Sequence, residues 1–202
     1  LSKTTAPAKA VPAQHVFIVR HGETEWSLSG QHTGTTDIPL TEHGRQVARL
    51  LRPILAKESF ALALTSPLQR ATETCRLAGF EKAVKLEPDL VEWNYGRYEG
   101  LTPEQIHTTA PGWLIFRDGC PGGEQPGEIG ARVDRVIAKV RAVEGNVIVF
   151  AHGHVLRVFA ARWLALPPSA GQHFLLDTAT TNILGYYRTV PAIKRWNAPV
   201  QL

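Results

Sequence analysis

Two histidines of this chain sit in nearly the same phrase, Arg20-His21-Gly22 and Ala151-His152-Gly153, 131 residues apart. Each phrase follows a short apolar run, Val16-Phe17-Ile18-Val19 and Val147-Ile148-Val149-Phe150. A neutral imidazole is a competent nucleophile near pH 7 once a hydrogen bond holds one ring nitrogen. An arginine beside it offers a planar fork that grips two oxygens of a phosphate. A site for a phosphate monoester needs several such fixed donors, a nucleophile and an acid for the leaving oxygen. Glycine after each histidine would let the backbone approach a ligand closely.

Those groups have to be carried by strand ends. The sequence predicts a strand over residues 15–19, a helix from Thr41 with Val47, Leu50, Leu51, Ile54 and Leu55 on its apolar face, and a strand over residues 61–64. Ser66-Pro67-Leu68-Gln69 reads as a capping box. It would place Arg70 in the first turn of a helix that ends at Gly79, with unpaired N–H groups nearby that favour an anion. Residues 86–92 read as extended, Thr102-Pro103-Glu104-Gln105 as a second capped start, and residues 111–127 as loop. Ile129, Val133, Val136, Ile137 and Val140 mark a helix face. A strand over residues 147–151, a helix over about 155–164 and two or three strands over 174–196 complete the chain. Strands alternating with helices predict a three-layer α/β/α sandwich with a mostly parallel central sheet, its ligand site at the carboxyl ends of the strands.

Composition narrows the classes. The chain has 202 residues, 44% of them hydrophobic, enough for one domain with a real core over residues 15–202. Residues 1–14 are rich in Ala, Pro, Lys and Thr and read as a disordered arm, a tag remnant or a trimmed targeting segment, in a chain that starts on Leu. No apolar run approaches the roughly 18 residues that span a bilayer. The net charge of +4 favours anionic partners, but Lys and Arg are dispersed, against nucleic acid or a membrane surface. Cys75 and Cys120 form neither a disulfide framework nor a zinc pattern and fit a cytoplasmic protein. A homo-oligomer is left open.

Four phrases in order resemble the motifs of the histidine phosphatase superfamily, the phosphoglycerate mutase-like proteins. They are Phe17-Ile18-Val19-Arg20-His21-Gly22-Glu23-Thr24-Glu25, Thr65-Ser66-Pro67-Leu68-Gln69-Arg70-Ala71-Thr72-Glu73-Thr74, Leu90-Val91-Glu92-Trp93-Asn94-Tyr95-Gly96 and Val149-Phe150-Ala151-His152-Gly153-His154. The resemblance covers residues 15 to 187. It implies a phosphoglycerate mutase-like fold and metal-independent phosphomonoester hydrolysis, without a cofactor, on a small phosphorylated metabolite. His21 would take the phosphoryl group. Arg20, Arg70 and His152 would bind its oxygens. Glu92 would protonate the leaving oxygen and then deprotonate the attacking water, a role for which it must start protonated, as burial beside a bound anion favours.

Mutases of the family carry Asn seven positions after the first arginine, where this chain has Ser27, and only about 60 residues separate Glu92 from His152. Both departures point to net hydrolysis, since a mutase must shield phosphohistidine from water. Trp26-Ser27, Ser29-Gly30-Gln31, Thr33-Gly34, Tyr98-Glu99-Gly100 and His152-Gly153-His154-Val155-Leu156-Arg157 are similar to the fungal sedoheptulose-1,7-bisphosphatase branch. That likeness implies a sugar phosphate or bisphosphate substrate, with Ser27 and Arg157 near its far end. The substrate-binding set it implies is Arg20, His21, Ser27, Thr33, Gly34, Arg70, Glu92, His152, Gly153 and Arg157.

Rival readings attach to several of these residues. Glu99 competes with Glu92 for the acid. Arg157 is open between a phosphate contact and a salt bridge, and Arg70 could simply pair with Glu73. His152, His154 and His21 could hold zinc, but no acidic cluster accompanies them and a metal-bound imidazole could not attack phosphorus. His32, His43, His107 and His173 read as plain surface or core histidines, and Trp93 and Tyr95 as packing residues. For the whole chain, the rivals are a phosphoglycerate mutase-type transferase and a non-catalytic phospholigand-binding module.

Overall fold

The computed structural model describes residues 14–200. Of the proposed arm, residues 1–13 lie outside the described residues, while Gln14 does not belong to an arm. Its side-chain amide donates to the carbonyls of Val140 (2.9 Å) and Val143 (2.8 Å), and the residue is buried.

Six strands form one sheet. β1 (Val16–Arg20), β2 (Phe60–Thr65), β3 (Val84–Leu86) and β4 (Asn146–Ala151) are parallel neighbours in the order β3-β2-β4-β1. β5 (Thr181–Tyr187) adds to β1 antiparallel, and β6 (Val190–Ala198) adds to β5 in the same sense. The sheet is thus mostly parallel, as the alternation of strands and helices requires, with a C-terminal hairpin at one edge.

Helices cover both faces. On one, α2 (Glu42–Leu55) and α3 (Gln69–Leu77) pack with Phe17, Val19, Ile148 and Phe150. On the other lie α4 (Pro103–Thr109), α5 (Ile115–Asp118), α6 (Pro126–Arg141) and α7 (Gly153–Trp163), over Ile18, Val147 and Val149. The predicted α6 face is fully buried, Ile129 through Val140. Each such side chain contributes about 1.5–3 kcal/mol. α1 (Glu25–Ser29) is a short helix after the first histidine. No described helix is long and apolar enough to cross a membrane.

Four local expectations are corrected. The inner face of α2 keeps Leu51 and Leu55 of the expected set and adds Gly44 and Ala48, while Val47, Leu50 and Ile54 are only half-buried. Small residues let the helix lie against the backbone of Glu23, where a Cβ on Gly44 would clash. Ser66 is not the N-cap: α3 starts at Gln69, its N-cap Leu68 makes no side-chain bond, and the Ser66 hydroxyl accepts the Leu68 N–H at 3.4 Å and bonds His152. Residues 86–92 are not one extended run, because β3 ends at Leu86 and Pro88–Leu90 forms a 3-10 turn capped by Glu87. The segment 111–127 contains α5. The capping box at Thr102 and Gln105 forms as read.

Candidate active site

Strand register brings the two histidines together. Arg20 stands opposite Ala151, and the His21 N–H donates to Ala151 O at 2.9 Å, one step past the end of β1. β2 ends level with them, with the Ser66 N–H on Phe150 O. The rings of His21 and His152 consequently face each other with centroids 5.2 Å apart.

Their protons are fixed in opposite senses. His21, 4% exposed, has Nδ1 2.7 Å from the Gly22 carbonyl. A carbonyl only accepts, so Nδ1 carries the proton and Nε2 keeps a free lone pair. Burial, then the Arg20 and Arg70 guanidiniums, hold its pKa well below the ordinary 6.5. His152 accepts the Arg70 Nε–H at Nδ1 (3.1 Å) and donates Nε2–H to Ser66 Oγ (2.7 Å). Burial first, then Arg70, pushes its pKa far down as well.

Arg70 is fully buried and does not point its fork at open space. Besides His152 it donates to Thr36 O (3.0 Å), Thr33 O (3.0 Å) and Gly34 O (2.9 Å). It thus ties His152 to the segment 33–36. Glu73 pairs with Arg45, not with Arg70. The N-terminus of α3 already has its anion, Asp37, whose Oδ1 accepts the Gln69 N–H at 2.8 Å.

Glu99 braces the same segment. Its Oε1 accepts the N–H groups of Gly34 (2.9 Å) and Thr36 (3.0 Å). A Cβ on Gly34 would lie 2.6 Å from Glu99 Oε2 and 2.6 Å from Trp93 O, so the packing requires glycine there. Glu99 is therefore a loop brace, outside the cavity that Glu92 lines.

Glu92, 5% exposed, accepts the N–H groups of Trp93 (2.8 Å) and Val155 (2.9 Å) at Oε1 and of His154 (2.9 Å) at Oε2. It sits at the N-terminus of α7, where its oxygens satisfy N–H groups that the helix leaves unpaired. Oε2 has one bond and spare accepting capacity. Arg20 donates Nη1–H to Leu176 O (2.6 Å), but its buried Nε–H has no partner among the described residues. A buried, unpaired guanidinium donor marks a place for an anion. A Cβ on Gly153 would stand 3.3 Å from Arg20 Nε and 3.7 Å from Glu92 Oε2, so both groups border one spot over the start of α7. Gly22 serves packing rather than a ligand, since its Cβ would meet Gly44 O at 2.7 Å.

A cavity of about 220 Å³ opens on this spot, and its walls include Arg20, His21, Glu92 and Gly153 together with Trp26, Ser27, Thr33 and Arg157. Arg70, His152 and Gly34 stand outside that wall. The Ser27 hydroxyl accepts the Thr24 N–H and donates to Thr24 O, capping α1. Arg157 forms no ion pair among the described residues. It donates to the carbonyls of Gly171 (3.0 Å) and Gln172 (3.1 Å) and stacks on Phe116. Among the described residues no three His, Cys, Asp or Glu side chains are grouped so as to hold a metal ion.

Sequence reasoning missed Ser66 as the partner of His152, Asp37 at α3, and Arg132, which pairs with Glu124 and donates to Glu92 O (3.1 Å) beneath the site. Ser66 lies inside a quoted motif, but its cap reading hid it. Asp37 and Glu124 carry no local signal.

Residues 16–199 match the sequence profile of the histidine phosphatase superfamily (branch 1). The chain belongs to that superfamily. This histidine phosphatase is 37% identical over 175 residues to an acid phosphatase of Mycobacterium tuberculosis, covering 85% of this chain and 86% of the relative. It is 39% identical over 182 residues to a sedoheptulose 1,7-bisphosphatase of Saccharomyces cerevisiae, covering 74% of this chain and 67% of the relative. The solved structure of an open reading frame product of M. tuberculosis superposes with a TM-score of 0.89 at 34% identity, over 94% of this chain and 100% of that one. The fold is thus the phosphoglycerate mutase-like sandwich, and the histidine phosphatase is a phosphoric monoester hydrolase.

Proposed function

We propose that the enzyme hydrolyses a sugar bisphosphate or sugar phosphate, such as sedoheptulose 1,7-bisphosphate, through a phosphohistidine on His21 and without a metal. The observation that carries this reading is the state of His21. It is a buried neutral ring with Nδ1–H tied to a carbonyl and Nε2 free, next to an unpaired Arg20 donor and the Glu92 carboxyl. In the first step Nε2 attacks phosphorus, the P–O bond to the sugar breaks, and Glu92 gives its proton to the leaving oxygen. In the second, Glu92 takes a proton from water, the water oxygen attacks phosphorus, and the P–N bond breaks to release inorganic phosphate and neutral His21. Arg20 neutralises charge on the transferring group, while Arg70 holds His152 as a neutral ring beside His21. The sugar preference is supported by the likeness to the yeast bisphosphatase and by a cavity walled with hydroxyl and guanidinium groups. Both cysteines are free and buried, as a cytoplasmic enzyme allows.

The test is phosphate release from sedoheptulose 1,7-bisphosphate, fructose 1,6-bisphosphate, their monophosphates and p-nitrophenyl phosphate, with isomerised products measured alongside. The reading expects free phosphate, and a kcat/KM for at least one sugar bisphosphate well above that for p-nitrophenyl phosphate. Isomerised product without phosphate would replace it with a mutase.

A further inference from the structure

Beyond Glu92 the cavity is bordered by a group that the phosphoryl chemistry does not use. The hydroxyl of Tyr95 lies 2.6 Å from His154 Nδ1. Tyr95 is buried, and its hydroxyl has no other partner among the described residues. Its proton is satisfied only if Tyr95 donates and His154 Nδ1 accepts. His154 then carries its proton on Nε2. Across from it, His32 has Nδ1 2.9 Å from the Leu101 carbonyl, so Nδ1 carries the proton and Nε2 is a lone-pair acceptor. The two rings are parallel within 7°, with centroids 5.9 Å apart. Among the described residues no protein group bonds Nε2 of either ring, although every other ring nitrogen of the pair is committed. Burial lowers both pKa values, which keeps both rings neutral and both tautomers intact.

The position matters as much as the protons. The His154 N–H is one of the groups that hold Glu92. The His154 ring lines the same cavity as the Glu92 carboxyl. His32 and His154, with Pro103 and Arg157, are shared by the cavity and by a second groove of about 420 Å³ walled by Trp113, Phe116 and His173. The rings stand where the two meet.

We infer that His32 and His154 form a leaving-group subsite for a polyol, in which Nε2–H of His154 donates to one substrate hydroxyl and Nε2 of His32 accepts from the same or a neighbouring one, with Tyr95 as the positioning residue that sets the His154 tautomer. This rests on the sugar reading of the substrate. A hydroxyl both donates and accepts, whereas an aryl leaving group can do neither, so the subsite raises selectivity for sugar esters over aryl esters. A site built to bond a hydroxyl rejects a substrate that lacks it, because the buried polar groups are left unpaired.

The experiment compares kcat/KM for sedoheptulose 1,7-bisphosphate with that for phenyl phosphate in the wild type, Tyr95→Phe and His32→Asn, where the Asn amide can keep the bond to Leu101 O. The ratio of the two constants should fall at least tenfold in each variant. Ring 15N shifts should show His154 moving away from the Nε2–H form in Tyr95→Phe. A purely structural role predicts equal losses on both substrates, and that result overturns the inference even if the wild type prefers the sugar. A wild type with no preference for sugar bisphosphate removes the sugar reading and the subsite with it.

Discussion

Arg70 and His152 are joined by one hydrogen bond, Nε–H to Nδ1 at 3.1 Å, across 82 residues of sequence. The same guanidinium holds three carbonyls of the segment 33–36, so the ring behind His21 and the loop beside it share one anchor. A lysine in its place offers three donors from a single nitrogen, with no fork to span both. Arg70→Lys is expected to lower kcat/KM by on the order of 100-fold and to destabilise the fold by about 3 kcal/mol, because buried acceptors lose their partners. Denaturant unfolding and steady-state kinetics check both. An unchanged unfolding midpoint would show that the carbonyl contacts carry no weight.

Acid should destabilise the protein before its carboxylates titrate. Burial, the largest cause in each case, sets the folded-state pKa values of His21, His152 and His154 well below 6.5. Below about pH 6.5 the unfolded chain takes up protons on these rings while the folded chain does not, so stability falls with pH. The contribution is intact above 6.5 and is lost as pH drops toward the folded values, at up to about 1.4 kcal/mol per ring per pH unit. Urea midpoints at pH 7.5 and 5.5 test this, with the lower midpoint expected at 5.5. Equal midpoints would mean that the rings charge in the folded state.

Glu92→Gln retains an oxygen for the N–H groups of Trp93 and Val155 but removes the titratable proton. Its kcat should drop by about 100- to 10,000-fold for a sugar phosphate, the range of general acid catalysis, and much less for p-nitrophenyl phosphate, whose leaving oxygen needs little protonation. Equal losses on the two substrates would assign Glu92 a role in holding α7 alone.

Gly34→Ala forces a Cβ against Trp93 O and Glu99 Oε2, each 2.6 Å away. Such overpacking costs about 1–3 kcal/mol. The cost should appear in thermal unfolding, together with a loss of activity as Arg70 loses its seat.

Much of this arrangement was legible in the sequence because it depends on local signals. The His-Gly phrases mark the ends of β1 and β4, and parallel pairing of those two strands is enough to set His21 beside His152. The α6 face and the Thr102 cap follow from periodicity and cap chemistry alone. What could not be read is which partner a polar side chain chooses when several lie within reach. Ser66 has the spacing of a helix cap but bonds a histidine 86 residues away. Arg70 has the position of a phosphate fork but spends its donors on carbonyls that only the folded loop presents. Tyr95 reads as packing, and only the approach of His154 shows that its hydroxyl has work to do. The α2 face was legible only in Leu51 and Leu55, because Gly44 and Ala48 bring the helix in by being small, which hydrophobic counting overlooks.

The central claim is the covalent step at Nε2 of His21. Mixing the enzyme with phosphate-labelled sedoheptulose 1,7-bisphosphate and quenching within milliseconds should trap label on the protein that is stable in alkali, labile in acid and located by peptide mapping at His21. The His21→Ala variant, folded by circular dichroism, should trap none and turn over no substrate. Full turnover by that variant, or label on any other residue, would contradict the account.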